Sequence, residues 1–247
     1  MLESSPLLRK RPVLSAQVRE WCAGTWAASL MEAESLWLQA RLARYFGSYL
    51  LRYNALDDAP LVTDVRHQVR LGCDSQPQEL YVDESGWAVQ PEAADVVILQ
   101  HSLEFARSPY DLLREAARAV RPGGHLLLLV RNPWGLCASR GGPWPQAHRL
   151  AASRVAEWLA VLGFALDAPV FAHYLPARWQ AGQHRLEAFL VKRQWPLGAC
   201  YMIAARKQVH AAPLQRQRSR RIKDLLPLPV APQRKSPEPV KEQRIHD

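Results

Sequence analysis

Residues 92–130, EAADVVILQHSLEFARSPYDLLREAARAVRPGGHLLLLV, constrain the fold more than any other stretch of this chain. Residues 95–99 form a short apolar run, the pattern of a strand covered on both faces. Residues 111–120 place Leu112, Leu113, Ala116, Ala119 and Val120 on one stripe of a helix, and Pro122-Gly123-Gly124 is expected to stop that helix. Residues 125–130 are a second apolar run. Strand, helix and strand in this order make a βαβ unit and require a parallel sheet inside an α/β domain. The loop at 100–104 should then open at the carboxyl edge of the sheet, where such folds bind ligands.

The flanking sequence supplies the rest of a sheet. Residues 14–46 read as helical, with Trp21, Trp26 and Leu30, then Leu36, Trp37, Ala40, Leu42 and Ala43 near helical spacing and Gly24 as an interruption. Packing of the three tryptophans on a core is the expected use; a stacking surface for nucleic acid is the alternative. Strands are expected at 48–53, 67–71 and 80–82, ahead of those at 95–99 and 125–130. Residues 152–162 form an amphipathic helix with Val155, Trp158, Leu159 and Leu162 inward, closed by Gly163. The apolar runs at 164–174 and 199–205 suit a last strand pair. Residues 176–195 read as a surface insertion or lid.

Composition excludes several classes. No stretch of about 18 apolar residues occurs, so a membrane span is not expected. The first fifteen residues lack the apolar core and cleavage site of a secretory signal. Cys22, Cys73, Cys137 and Cys200 form no CxxC pair and have no histidine at metal spacing, which argues for reduced packing cysteines in a cytoplasmic protein and against zinc. The net charge is +9, but residues 211–247 carry nine Lys/Arg against four Asp/Glu. That segment holds six prolines and no aromatic residue, a composition that cannot bury enough apolar area to order itself. The expected division is a leader and helix at 1–34, an α/β domain at 35–210 and a disordered basic tail at 211–247. Nucleic acid is a partner to consider through Arg216, Arg218, Arg220, Arg221 and Lys223, although such runs are usually solvated.

The order of elements resembles the class I S-adenosylmethionine (SAM)-dependent methyltransferases, especially the type related to quinone-biosynthesis enzymes. The residues carrying the resemblance are Ala94-Asp95-Val96-Val97, then His101-Ser102-Leu103-Glu104-Phe105, Pro109, Leu112-Leu113-Arg114-Glu115, and Arg118-Ala119-Val120-Arg121-Pro122-Gly123-Gly124. A bacterial subgroup of that family is closer still, through 130–136, VRNPWGL, and through Phe46-Gly47, Tyr49-Leu50-Leu51 and Val65, His67-Gln68-Val69. The resemblance spans roughly 35–207. It implies a Rossmann-like sandwich, a mostly parallel sheet with a C-terminal antiparallel strand, SAM as cofactor, and methyl transfer to a small-molecule acceptor. The chain departs from the family after the first strand. The glycine-rich loop that lets the backbone approach the amino-acid end of SAM is replaced by 51–58, LRYNALDD. Gly72-Cys73-Asp74 mimics that loop, but Gly72 lies too close to Asp95 and is expected to end the second strand. The departure leaves a second function open, a non-catalytic binding protein on the same fold.

The resemblance assigns roles at the carboxyl edge. Asp83 would accept a hydrogen bond from the adenine amino group, and Asp74 would accept from the ribose. Tyr53 and Asn54 would contact the methionine moiety in place of glycine backbone. Gln100, His101 and Ser102 would line the donor and acceptor pocket, with His101 as general base because its ordinary pKa lies near neutrality. Structural uses compete with each role: a turn or cap for Asp83 and Asp74, and packing beside the next helix for His101. Glu104 is expected to be a structural acceptor, and Arg131, Asn132 and Trp134 could contact substrate.

Overall fold

The computed structural model describes residues 11–24, 27–53, 61–72, 79–135, 143–175 and 184–209. The chain divides into Met1–His210 and Ala211–Asp247, and all the described residues belong to the first unit. The expectations for Asn54, Asp74, Trp26 and the basic tail lie outside the described residues. Among these residues no helix is long and apolar enough to cross a membrane.

Two helices precede the sheet, α1 (Arg11–Ala23) and α2 (Ala28–Leu42), with the break at Gly24. Then come β1 (Phe46–Tyr53), β2 (Asp64–Gly72), β3 (Leu80–Tyr81) and β4 (Ala94–Gln100). They are followed by α3 (Pro109–Ala119), β5 (Val120–Arg131), α4 (Ala152–Val161), β6 (Phe164–Leu166), β7 (Val170–Ala172), α5 (His184–Arg193) and β8 (Cys200–Lys207). The sheet order is β3-β2-β1-β4-β5-β8-β6, with β7 also paired to β8. Strands β1 to β5 are mutually parallel, and β8 runs antiparallel to β5, β6 and β7. Gly72 ends β2, as its short distance from Asp95 predicted.

Alternation along the strands sorts side chains onto two faces. Leu50, Val96, Ile98, Leu127, Leu129 and Met202 meet Leu30, Leu38 and Leu42 of α2. Leu51, Val97, Leu99, Leu126, Leu128 and Ile203 meet Leu112, Leu113 and Ala116 of α3 and Val155 and Leu159 of α4. Burial on both faces explains why β4 and β5 read as continuous apolar runs.

The end of α3 differs from expectation. Pro122-Gly123-Gly124 does not stop the helix, because Ala119 already ends it and Val120 pairs directly with Ala94. The register then shifts before Val96 pairs with His125, so Pro122-Gly123-Gly124 forms an irregularity within β5, with Gly123 at φ +79°. Lys207 covers the helix end, its Nζ donating to the carbonyls of Ala117 at 2.9 Å and Val120 at 2.7 Å.

Asp95, the acid of the Ala94-Asp95-Val96-Val97 signature, sits at the opposite edge from the ligand side. Its carboxylate accepts from the N–H of Ser48 at 2.6 Å and Tyr49 at 3.0 Å and pairs with Arg121 at 2.6 Å. A Cβ on Gly47 would lie 2.1 Å from Asp95 Cγ, so the carboxylate and the glycine require each other. The motif thus fastens β1 to β4; it carries no chemistry.

Candidate cofactor cleft and its buried charge cluster

From β1 the chain moves outward through β2 and β3, and from β4 it moves the other way through β5. The strand order therefore reverses between Tyr53 and Gln100, the position where doubly wound sheets hold ligands. A cavity of about 270 Å³ opens beside this point, between the N-terminal helices and the strand ends. Arg19 and Cys22 of α1, Met31 and Ser35 of α2, Arg52 of β1 and Gln100 of β4 line it. Arg52 is 4% exposed and Arg19 is half-buried.

The wall behind Gln100 is a cluster of buried charge. His101 adopts φ +48° at the strand end and its backbone N–H donates to Leu129 O at 2.8 Å. Its Nε2 lies 2.9 Å from Glu34 Oε1 and its Nδ1 3.0 Å from Glu104 Oε1. The Gln100 amide donates to the other Glu34 oxygen at 2.8 Å, and the N–H of Arg131 donates to Glu104 at 2.6 Å. The side chains of Glu34, His101 and Glu104 are at most 1% exposed. Trp144 closes this group edge-on, 5.5 Å from the His101 ring and 4.9 Å from the Trp21 ring, with the Arg131 guanidinium 5.0 Å over its face. Burial pulls the imidazolium down, but Glu34 and Glu104 together outweigh it and lift His101 to about 10. The neighbouring thiols feel the same negative charge. Burial, then Glu34 and Glu104, push Cys22 up to about 12, and burial followed by Glu34 raises Cys200 as well.

The structure sets His101, expected as a general base, in a closed position: both nitrogens face carboxylates, the ring is sealed from solvent, and the two carboxylates favour its protonated form. Glu104 is the structural acceptor foreseen for it. Tyr53 also moves: it ends β1, and its ring turns into the α3-side core, stacked on Trp87 at 5.3 Å and 15°. Ser102 Oγ lies 3.2 Å from Tyr53 O and 3.0 Å from Gln100 O, so its single proton joins β1 to β4. Asp83 is exposed and bonds within its own turn, to the N–H of Glu84 at 2.9 Å and the hydroxyl of Ser85 at 3.2 Å. Asn132 is a clamp, donating to Pro196 O at 2.9 Å and Gly198 O at 2.8 Å. Of the anticipated residues, Gln100 alone both lines the cavity and presents a polar group there among those described. Arg19, Arg52 and Glu34 were not anticipated. Nothing in the alternation of β1 marks Arg52, and Glu34 is one acid among two on a short helix.

Residues 41–128 match the family described as a methyltransferase domain. The chain is 25% identical over 200 residues to the uncharacterized Escherichia coli (strain K12) protein YafS, covering 76% of this chain and 80% of that one. It superposes with a TM-score of 0.55 and 15% identity on a chain of the Haloferax volcanii complex between the Trm112 methyltransferase activator and a candidate methyltransferase, covering 82% and 98% of the two chains. A SAM-dependent methyltransferase from Archaeoglobus fulgidus gives 0.49 and 14%, covering 70% and 94%.

The cofactor that this domain and fold imply is SAM. Arg19, Arg52 and Gln100 line one partly apolar cavity, and guanidinium and amide donors are groups that suit a carboxylate next to a thioether chain. On the nucleoside side, the hydroxyl of Ser102 and the carboxylate of Asp83 are engaged within the protein. Sheet order and superposed structure agree on a class I methyltransferase-like fold, within which residues 41–128 match the methyltransferase-domain family.

Proposed function

We propose that the chain binds SAM at the β1–β4 edge and transfers its methyl group to a small molecule. One observation supports the reading: the cavity at the strand reversal is lined by Arg19, Arg52 and Gln100. Arg19 and Arg52 would hold the carboxylate of the methionine moiety, and Gln100, fixed by Glu34, would contact its chain. The bound cofactor supplies an already activated methyl group. The protein's task is then to align donor and acceptor and exclude water. His101 keeps its proton, so an acceptor at this edge must be nucleophilic without help from that residue. Glu34 and His101 act by holding Gln100 and α2 in place.

Isothermal titration of the full chain with SAM and S-adenosylhomocysteine tests the reading. Arg19→Met should weaken both by about tenfold, the worth of one charged hydrogen bond. It should leave methylthioadenosine, which lacks the carboxylate, unaffected. Absence of binding at millimolar ligand would instead favour a non-catalytic binding protein on the same fold.

A further inference from the structure

A second cavity, of about 540 Å³, lies on the other flank of α2. Helical periodicity separates the two sites. Met31, Ser35 and Leu38 face the cleft beside Gln100, whereas Glu32, Ala33, Leu36 and Trp37 face the second cavity. Glu34, fully buried against the sheet, stands between them. The other walls are β7 and β8, through Phe171 and Met202, and α5, through Ala188 and Val191. The volume is that of a site for a drug-sized molecule, and its walls are largely aliphatic and aromatic. Its polar side chains are Glu32 at the exposed rim, Glu187, the imidazole of His173 and the buried indole N–H of Trp37; no Lys or Arg is among the described lining residues. Glu187 is fixed in place, its two oxygens accepting from the N–H of Tyr174 and Leu175 at 2.9 Å each. Burial lowers the pKa of His173, so it adds no positive charge near neutrality. Arg41, which lies over the Trp37 ring, is ion-paired with Asp167 and is not part of the lining.

We infer that this cavity is a separate ligand site for an uncharged or cationic aromatic molecule, and that it rejects anions. Apolar walls with the Trp37 ring favour a flat ring, and a cation there gains from the carboxylates and that aromatic face. An anion would lose its hydration and meet two negative charges with no Lys or Arg among the described lining residues, a costly burial. The two cavities share no lining residue and open on different faces of α2.

Three probes of one shape test this in the full chain without SAM: 2-naphthylmethylamine, 2-naphthol and 2-naphthoate, each titrated calorimetrically at pH 7.5. The amine and the naphthol should bind at least about tenfold more tightly than the carboxylate, given two carboxylates within the site. Ala188 is exposed on α5, so Ala188→Trp fills the cavity from its rim and should weaken the amine by about tenfold or more. Glu32→Lys, also at an exposed position, should narrow the gap between amine and carboxylate by about threefold or more. Circular dichroism and melting confirm that both variants fold. Equal or tighter binding of 2-naphthoate, no response to Ala188→Trp, or no binding of any probe at 5 mM, about the weakest affinity such a ring would show, overturns the inference.

Discussion

Replacing His101 with asparagine tests the buried cluster with little backbone confusion. Asparagine tolerates the positive φ that His101 adopts, so any loss reports on charge. The substitution leaves Glu34 and Glu104 buried without the cation that sits 2.9 and 3.0 Å from them. Removing one side of a buried pair typically costs about 3–5 kcal/mol. Linkage gives a similar figure: moving a histidine from 6.5 to about 10 corresponds to on the order of 5 kcal/mol, at about 1.4 kcal/mol per tenfold. The sign follows from the raised value. The stabilisation is fully present below pH 6.5 and is lost as pH rises through about 10. Urea denaturation followed by tryptophan fluorescence at pH 6, 8 and 9.5 measures it. The native chain should lose stability steadily across this range, whereas the variant should start about 3–5 kcal/mol lower at pH 6 and lack that decline. Adding Glu34→Gln to the variant removes one stranded charge and should recover about 1 kcal/mol or more. The reasoning fails if His101→Asn costs less than about 1 kcal/mol, or if native stability is flat between pH 6 and 9.5.

Other consequences are simpler to check. Gly47→Ala puts a Cβ 2.1 Å from Asp95 Cγ and should cost about 1–3 kcal/mol, read as a lower urea midpoint; an unchanged midpoint would show that β1 yields freely. Lys207→Met removes two hydrogen bonds to the end of α3 and should cost about 1–3 kcal/mol, visible as a lower melting temperature. Asn132→Ala leaves the carbonyls of Pro196 and Gly198 without their shared donor. Faster amide exchange should then appear in 196–199, with little change in α3.

Periodicity and apolar runs made the parallel sheet legible, because β4 and β5 are covered on both faces and α3 has a clear stripe. The distance from Gly72 to Asp95 was enough to place the end of β2. The Pro-Gly-Gly turn misled because a helix can hand over directly to a strand when its last residue already has a ladder partner, as Val120 has in Ala94. The site was harder to read. Motif residues at the carboxyl edge looked available for a ligand, yet their availability depends on what the N-terminal helices bring. Glu34 is 67 positions before His101 in the chain and carries no local signal of its destination. Arg52 is likewise invisible: a strand position facing α1 and α2 would ordinarily hold an apolar residue. The strongest signature, around Asp95, lies at the edge away from the cleft and therefore reports architecture.

Cys22 and Cys200 are both free and buried beside Glu34. Their thiols resist ionisation, and only a thiolate alkylates readily. As long as α1 and α2 stay seated, these sulfurs should be silent to iodoacetamide. Once the helices lift, they lose both their cover and the carboxylate that opposes ionisation. Labelling rates at these two positions, resolved by peptide mass spectrometry, would therefore time the departure of the N-terminal helices from the sheet, with no reporter group added.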